Sequence, residues 1–413
     1  GVIMGGFRYP VEYFSCKDFD KKPEDIQQML MCMADWGRKL SGPVRGETGI
    51  DGVRLDFNNG VRIEISDGPW HVTIGDYDSG MVFYDADVSE KLIVSMEKYY
   101  IHWHIRISYE GNLVFEHVFD MRGQKVRLIF QSWLLGDMQS FLSYVPYVRD
   151  YYGADVYYWI PDSMKEAAQR ILRDVPLRED FDEDTYATFY FNAGLDIPCL
   201  MPIDGRQVSM TQTGQIIMNL PSEAPKLPWP KGERKIKEPY VCIGVQASSV
   251  GKGWLYPHGW DEVTEYLKSL GYRVLCIDKE KVMDDRGYRL EMPEGAEDYT
   301  GDLPLIERLD MLTYADFFIG LASGLSWLAY TADCPVVMIG GFSVYWTEFP
   351  NPYRVYNRLV CNACYNDVRV NWQGNMCPKQ QAGTDKIFEC SKKISPRMVL
   401  DAIERLRRDK GLV

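Results

Sequence analysis

Four cysteines crowd into the last fifth of the chain, Cys361, Cys364, Cys377 and Cys390, spaced C-x2-C-x12-C-x12-C. Four thiolates with one C-x-x-C knuckle suit a tetrahedral metal site, and the polar segment around them has few apolar residues to fold on otherwise. Spacing leaves zinc and a rubredoxin-like iron both open; a pair of disulfides or free thiols are the alternatives. A second candidate is Gly136-Asp137, at the start of a helix that follows an apolar strand. A carboxylate there either caps the helix or takes a proton from an acceptor hydroxyl as general base. Two loops have the composition to hold an anion: QASSVGKGW with Ser248, Ser249 and Lys252, and ASGLSW with Ser323, Gly324, Leu325 and Ser326. The first is no Walker A loop, because six residues rather than four separate Gly244 from Gly251 and Gly follows Lys252. Small residues at a helix start let backbone N–H groups approach an anion, so with Lys252 the two loops together read as a diphosphate clamp; a plain helix cap is the alternative for each alone. Asp278-Lys279-Glu280 closes the strand YRVLCI, where doubly wound folds contact a ribose or base; a solvated turn is the alternative.

These residues need elements to position them. From about residue 50 to 120 short alternating runs are divided by Asn59-Gly60, Asp67-Gly68, Ser79-Gly80 and Glu110-Gly111, the pattern of an antiparallel β module. PEDIQQMLMCMADWGRKL before it repeats apolar residues at helical spacing. KVRLIFQSWLLGDMQSFLSYVPYVRDYYGADVYYWIP then reads strand, turn, helix, strand, the unit of a parallel sheet, and a second such run begins at EPYVCIGV. PSEAPKLPWPKGERKIKEP between them reads as a linker, and ISPRMVLDAIERLRRDKG as a terminal helix. The expected fold class is α/β, with boundaries at 1–124 (β-rich), 125–225 (first Rossmann-like, acceptor side), 226–350 (second Rossmann-like, nucleotide-sugar side) and 351–413 (Cys finger and helix). Two such sheets facing each other leave a cleft at the strand carboxyl ends.

The chain of 413 residues carries 46 Lys and Arg against 59 Asp and Glu, a formal net charge of −13, which argues against a general nucleic-acid binder. No apolar run reaches the roughly 18–20 residues that span a bilayer, and GVIMGGFRYPVEYF lacks the pattern of a signal peptide, so the expected location is the cytoplasm without membrane insertion. Cys242, Cys276 and Cys334 sit in apolar stretches and read as small buried hydrophobes. His102-x-His104 reads as a polar strand face rather than a metal site, and Asp76-x-Asp78 and Asp85-x-Asp87 as turn residues.

With these pieces in order, the sequence resembles the bacterial autotransporter heptosyltransferases, which glycosylate adhesins with ADP-heptose, and more remotely the lipopolysaccharide heptosyltransferases. The likeness runs from LDFNNGVRIEISDG, DSGMVFYDAD and LVFEHVFDMRGQKVRLIF to Cys390, and is most specific in LLGDMQSFLSYVPYV, IGLASGLSWLAY and CNACYND. It implies a GT-B core of two Rossmann-like domains, an added N-terminal β domain, one structural iron per chain in the Cys finger with zinc as the other choice, and a large homo-oligomer, a dodecamer. The family's catalytic aspartate falls on Asp137 and its phosphate-contacting lysine on Lys252; the diphosphate is then met by Lys252 and helix amides without a catalytic divalent metal. Met138 and Phe141-Leu142 depart from the family pattern after Gly136-Asp137, and Ala322 departs from the remote relatives. The expected reaction is transfer of heptose from ADP-heptose to Ser or Thr hydroxyls of an adhesin. Its rivals are transfer to a lipid-linked or free glycan, and a non-catalytic sugar-binding or assembly protein of the same fold.

Overall fold

The alternating sequence before residue 120 closes into two four-stranded sheets. The strands are β1 (Val11–Phe14), β2 (Val53–Asp56), β3 (Arg62–Ile65), β4 (Trp70–Asp76), β5 (Val82–Val88), β6 (Lys91–Ser95), β7 (Trp103–Tyr109) and β8 (Asn112–Val118). One sheet runs β1-β6-β3-β2 and the other β5-β4-β7-β8. All pairings are antiparallel except β1 with β6. Glu110 and Gly111 join β7 to β8 with φ of 49° and 79°, the two positive values a two-residue hairpin turn demands. This computed structural model describes residues 8–17, 42–131, 135–192, 199–370, 377–381 and 386–413. The helix expected over PEDIQQMLMCMADWGRKL lies outside them.

From Lys125 the pattern changes to β9 (Lys125–Phe130), α1 (Leu135–Phe141), α2 (Tyr144–Tyr152), β10 (Asp155–Trp159), α3 (Asp162–Ile171), β11 (Ala187–Phe191) and α4 (Met210–Ile217). The three strands pair in parallel, in the order β10-β9-β11. Phe57, just past β2, exchanges backbone hydrogen bonds with the β11 region (its N–H to Tyr186 O, 2.9 Å; Thr188 N–H to its carbonyl, 3.0 Å). The buried Asn58 adds bonds to Thr185 O and Thr188 Oγ1, both 2.8 Å. One apolar core therefore runs from Ile63 and Ile105 through Phe119 to Leu128 and Val145.

The second α/β run contains β12 (Tyr240–Ile243), α5 (Gly259–Ser269), β13 (Arg273–Cys276), the hairpin β14 (Val282–Asp285) and β15 (Tyr288–Glu291), β16 (Glu297–Asp298), α6 (Leu305–Tyr314), β17 (Phe318–Leu321), α7 (Gly324–Thr331), β18 (Val336–Ile339) and β19 (Arg354–Val355). Its parallel sheet has the order β16-β13-β12-β17-β18-β19. YVCI, FIGL and VVMI are buried throughout, as in a parallel sheet covered on both faces. Cys242, Cys276 and Cys334 are buried in these layers, as their apolar neighbours led us to expect. The chain then forms α8 (Pro378–Gln381), α9 (Glu389–Lys392) and α10 (Pro396–Asp409). Ser395 caps α10, and Val399, Ala402, Ile403 and Leu406 face the same core as Val241, Ile243 and Val337. The terminal helix thus covers the six-stranded sheet. The Pro- and Lys-rich segment 221–239 has no helix or strand but is pinned: the Arg170 guanidinium lies 4.7 Å over the buried Trp229 ring, and Lys226 lies 4.2 Å over Tyr330. Chain direction across the sheet reverses between β12 and β17, which places the crevice at their carboxyl ends, beside the loops singled out above.

Candidate functional site

Two helix starts from different sheets cross at glycines. A Cβ on Gly136 of α1 would lie 2.7 Å from Trp327 of α7, and one on Gly324 would lie 2.8 Å from the Leu135 side chain. Both glycines are there so that the helices can touch. Gln139 and Thr331 add a buried hydrogen bond of 2.6 Å across the same contact. Asp137, in the first turn of α1, is carried to this crossing.

The loop after β12 makes a single 3-10 turn at Val250–Lys252. Ser249 caps it by accepting the Gly251 N–H at 3.1 Å. Lys252 is half-buried, with its ammonium 5.4 Å over the Phe342 ring, and it forms no ion pair among the described residues. Burial pushes it below its ordinary 10.5, while the carboxylates of Glu348 and Asp137 oppose that fall. The fold thus brings the acid of one sheet and the cation of the other within electrostatic reach. Glu348 is itself held by Arg354 Nη1 at 2.8 Å and Ser343 Oγ at 2.7 Å.

A cleft of about 460 Å³ opens between Leu135 of α1 and the loops after β12, β13 and β17; its lining includes Ser248, Lys279, Ser323, Gly324 and Leu325 but neither Asp137 nor Lys252. Three expectations need correction here. Ser326 is fully buried and donates to Leu321 O at 2.5 Å, because it faces back onto its own strand, so its hydroxyl does not reach the cleft. Ser249 is likewise buried in its cap, and Ser248 is the serine left exposed. Asp278 is neither a solvated turn residue nor an open ligand group. It is 2 % exposed and accepts the N–H groups of Val245 at 2.7 Å and Gln246 at 3.2 Å, fixing the loop that leads to Lys252. Burial pushes its carboxyl from 3.8 up to about 6 against those hydrogen bonds.

Three site residues lie in no motif. Arg308 of α6 lines the cleft, buried, donating to Gly301 O at 3.0 Å while its Nη1 has no hydrogen-bond partner. That nitrogen is closed off from solvent, so Arg308 brings positive charge to the cleft wall without offering this N–H to a ligand. Tyr365 meets the Phe342 ring at a tilt, with centroids 5.6 Å apart, and its phenol is pushed up by burial, then by Asp137 and Glu348. Glu348 is the third. Only the alternation of apolar strands with small-residue loops pointed to this crevice; nothing local distinguished these side chains.

Tyr365 comes from the cysteine segment. Ala363 N–H donates to Gly341 O at 2.7 Å, and a Cβ on Gly341 would lie 3.2 Å from the Cys390 Cβ, so this segment packs on the loop after β18. The Cys390 thiol is pushed up to about 12 by burial, then by Cys361, Cys364 and Cys377. Burial and the Cys361 and Cys377 thiols push Cys364 up as well. The four thiols thus lie within electrostatic reach of one another, and four thiolates as a donor set suit a soft or borderline metal. Among the described residues no three ligating side chains close into a metal group. Residues 371–376 and 382–385, between these cysteines, lie outside the described residues. Three histidines of the β module are engaged by carboxylates, His102 with Asp78 at 3.0 Å, His104 with Glu116 at 2.6 Å, and His71 with Asp85 and Asp87 at 2.6 and 2.8 Å, while His117 shares a 2.8 Å hydrogen bond with the Tyr186 hydroxyl. No helix among the described residues is long and apolar enough to cross a membrane.

The fold and the cleft define an α/β glycosyltransferase, and comparison with known proteins agrees. A family model described as "Glycosyltransferase TibC, N-terminal domain" matches residues 49–111. The autotransporter heptosyltransferase Aah of Escherichia coli is 36% identical over 373 residues, covering 86% of this chain and 93% of that protein. The structure of the dodecameric iron-containing heptosyltransferase TibC in complex with ADP-D-beta-D-heptose aligns at a TM-score of 0.81 with 33% identity, covering 88% of this chain and 97% of that one. The inactive autotransporter heptosyltransferase BimC of Burkholderia thailandensis is 30% identical, covering 87% of each chain. The chain belongs to the autotransporter heptosyltransferase family.

Proposed function

We propose that the chain transfers heptose from ADP-heptose to Ser or Thr hydroxyls of an autotransporter adhesin. The observation that carries this reading is the crossing of α1 and α7, which brings Asp137 beside a cleft built from strand-end loops, with Lys252 within electrostatic reach of that carboxylate. An inactive relative has comparable overall similarity, so membership alone does not make the case for activity; an acid and an unpaired cation at one place do. Asp137 takes the proton from the acceptor oxygen as that oxygen attacks the anomeric carbon, and the sugar–phosphate bond breaks to release ADP. Lys252 and the amides at the start of α7 meet the charge that develops on the diphosphate, a role in which no catalytic divalent metal is called for. Ser248, Lys279, Ser323 and Arg308 line the nucleotide end, and Asp278 holds the loop.

In this reading the two parallel sheets are the halves of a GT-B core, divided as 125–225 and 226–350, with residues 1–124 as an added β domain. Cys361, Cys364, Cys377 and Cys390 hold one structural iron, supported by the iron-containing relative and by the clustered thiols; bound there, the metal would supply binding energy to folding rather than chemistry. The same relative supports a dodecameric assembly. The absence of a membrane-crossing helix among the described residues fits a cytoplasmic enzyme. The test is incubation of the purified chain with ADP-heptose and an adhesin passenger segment, read by mass spectrometry. Heptose on Ser or Thr, with competition by ADP at least about tenfold better than by UDP or GDP, is expected. An unmodified passenger, or equal competition by the three nucleotides, would contradict the reading.

A further inference from the structure

A second cavity, of about 520 Å³, has Glu348 in its wall. Its walls include Thr211, Gln212, Glu223, Tyr345, Trp346 and Asn351. One wall is the start of α4, where Ser209 and Gln212 form a reciprocal capping box that fixes the Gln212 side chain. The other is the loop after β18, whose Tyr345 and Trp346 are 62% and 37% exposed. That loop is not loose. Met210 N–H of α4 donates to Thr347 O at 2.7 Å, and Asn366 accepts from Val344 N at 2.9 Å while donating to Arg206 O at 3.0 Å. The cysteine segment therefore fastens the loop to the first α/β unit and holds two large aromatics out to solvent. Exposed aromatics on a fixed backbone bind with little loss of conformational entropy.

We infer that this cavity is the subsite that seats the acceptor polypeptide, flanking residues of the target Ser or Thr lying on Trp346 and Tyr345 while the hydroxyl reaches Asp137. The inference rests on the glycosyltransferase reading above. Continuity supports it: α4, whose start forms one wall of this cavity, packs against α1, the helix that carries Asp137. The chemistry of the walls selects the occupant. They carry the carboxylates of Glu223 and of Glu348, the latter already paired with Arg354, with amides and hydroxyls and no Lys or Arg in the lining itself, so a lipid-linked diphosphate or phosphorylated glycan finds no unpaired cation. An uncharged or basic extended peptide finds aromatic planes for its peptide groups and amide and hydroxyl partners for its backbone.

The test uses the full chain, ADP-heptose and a Ser/Thr-bearing peptide from an autotransporter passenger. Trp346→Ala should raise the KM for the peptide at least about tenfold with kcat changed far less, and Trp346→Phe should recover most of the loss. ADP affinity by calorimetry should be equal in both variants and the unaltered chain. A peptide KM within about twofold in Trp346→Ala, or ADP binding weakened in parallel, would overturn the subsite. So would a variant that loses transfer to a neutral oligosaccharide but keeps transfer to peptide. If the unaltered chain glycosylates no polypeptide, the functional reading fails first and the subsite falls with it.

Discussion

Lys252→Met should move stability and nucleotide affinity in opposite directions. The ammonium is desolvated and forms no ion pair among the described residues; Glu348, its nearest named electrostatic partner, is already taken by Arg354 and Ser343. Replacing a desolvated, half-buried cation that forms no ion pair with an apolar chain of similar length removes a desolvation penalty, reduced here by the two carboxylates and by partial solvent access. It forfeits the contact with Phe342, worth about 0.5–1 kcal/mol. The net expectation is a gain of roughly 1 kcal/mol in the ligand-free chain near neutral pH. The sign follows from proton counts. The native Lys252 titrates below the 10.5 of the unfolded chain, so the folded state binds fewer protons between the two values. The advantage of the Met variant is complete below the depressed pKa and shrinks as pH rises toward 10.5. ADP, by contrast, loses a charge-assisted hydrogen bond worth about 1.5–3 kcal/mol, or roughly 10–150-fold in Kd. Urea midpoints at pH 7 and pH 10, with ADP titration by calorimetry, measure both. A variant that is less stable yet binds ADP as before would refute the reasoning and make Lys252 a structural cation.

Gly136→Ala places a Cβ 2.7 Å from Trp327, which is 2% exposed and wedged against Phe349, so the helices must part. We expect about 1–3 kcal/mol of lost stability and a fall in turnover of up to about 10²-fold from the displaced Asp137, measured by unfolding and by heptose transfer; wild-type values for both would deny that α1 and α7 set the site. Cys390→Ser should lower the metal content from one iron per chain toward zero and cost folding or assembly more than it alters the chemistry, as read by metal analysis and size-exclusion chromatography. A metal-free variant that stays folded and assembled would show that the cysteines are not a structural site.

How much of this was legible in the sequence varies with what each residue needs. Turn pairs such as Glu110-Gly111 and buried strands such as FIGL are local decisions, governed by backbone freedom and apolar pattern, and they stand where the pattern puts them. The crevice was legible too, because loops after parallel strands face one end of a sheet. What each side chain does inside those loops was not. Ser326 and Ser248 are alike in composition, and only the helix start at Gly324 turns one hydroxyl inward while leaving the other exposed. Asp278 looks like a charged turn until the neighbouring strand brings the Val245 and Gln246 amides to it. Gly136 reads as an ordinary helix-start residue in sequence, and its reason is a tryptophan 191 positions later on a helix of the other α/β unit. Arg308, Glu348 and Tyr365 belong to a helix face, a post-strand loop and a finger, and no spacing rule joins them.

The most direct test of the central claim is single-turnover heptose transfer by Asp137→Asn. The substitution keeps the shape of the side chain at the start of α1 and removes its ability to take a proton. The account predicts ADP affinity within about twofold of the unaltered chain and transfer slowed by about 10²–10⁴-fold. Transfer at the native rate with Asn at this position would contradict it.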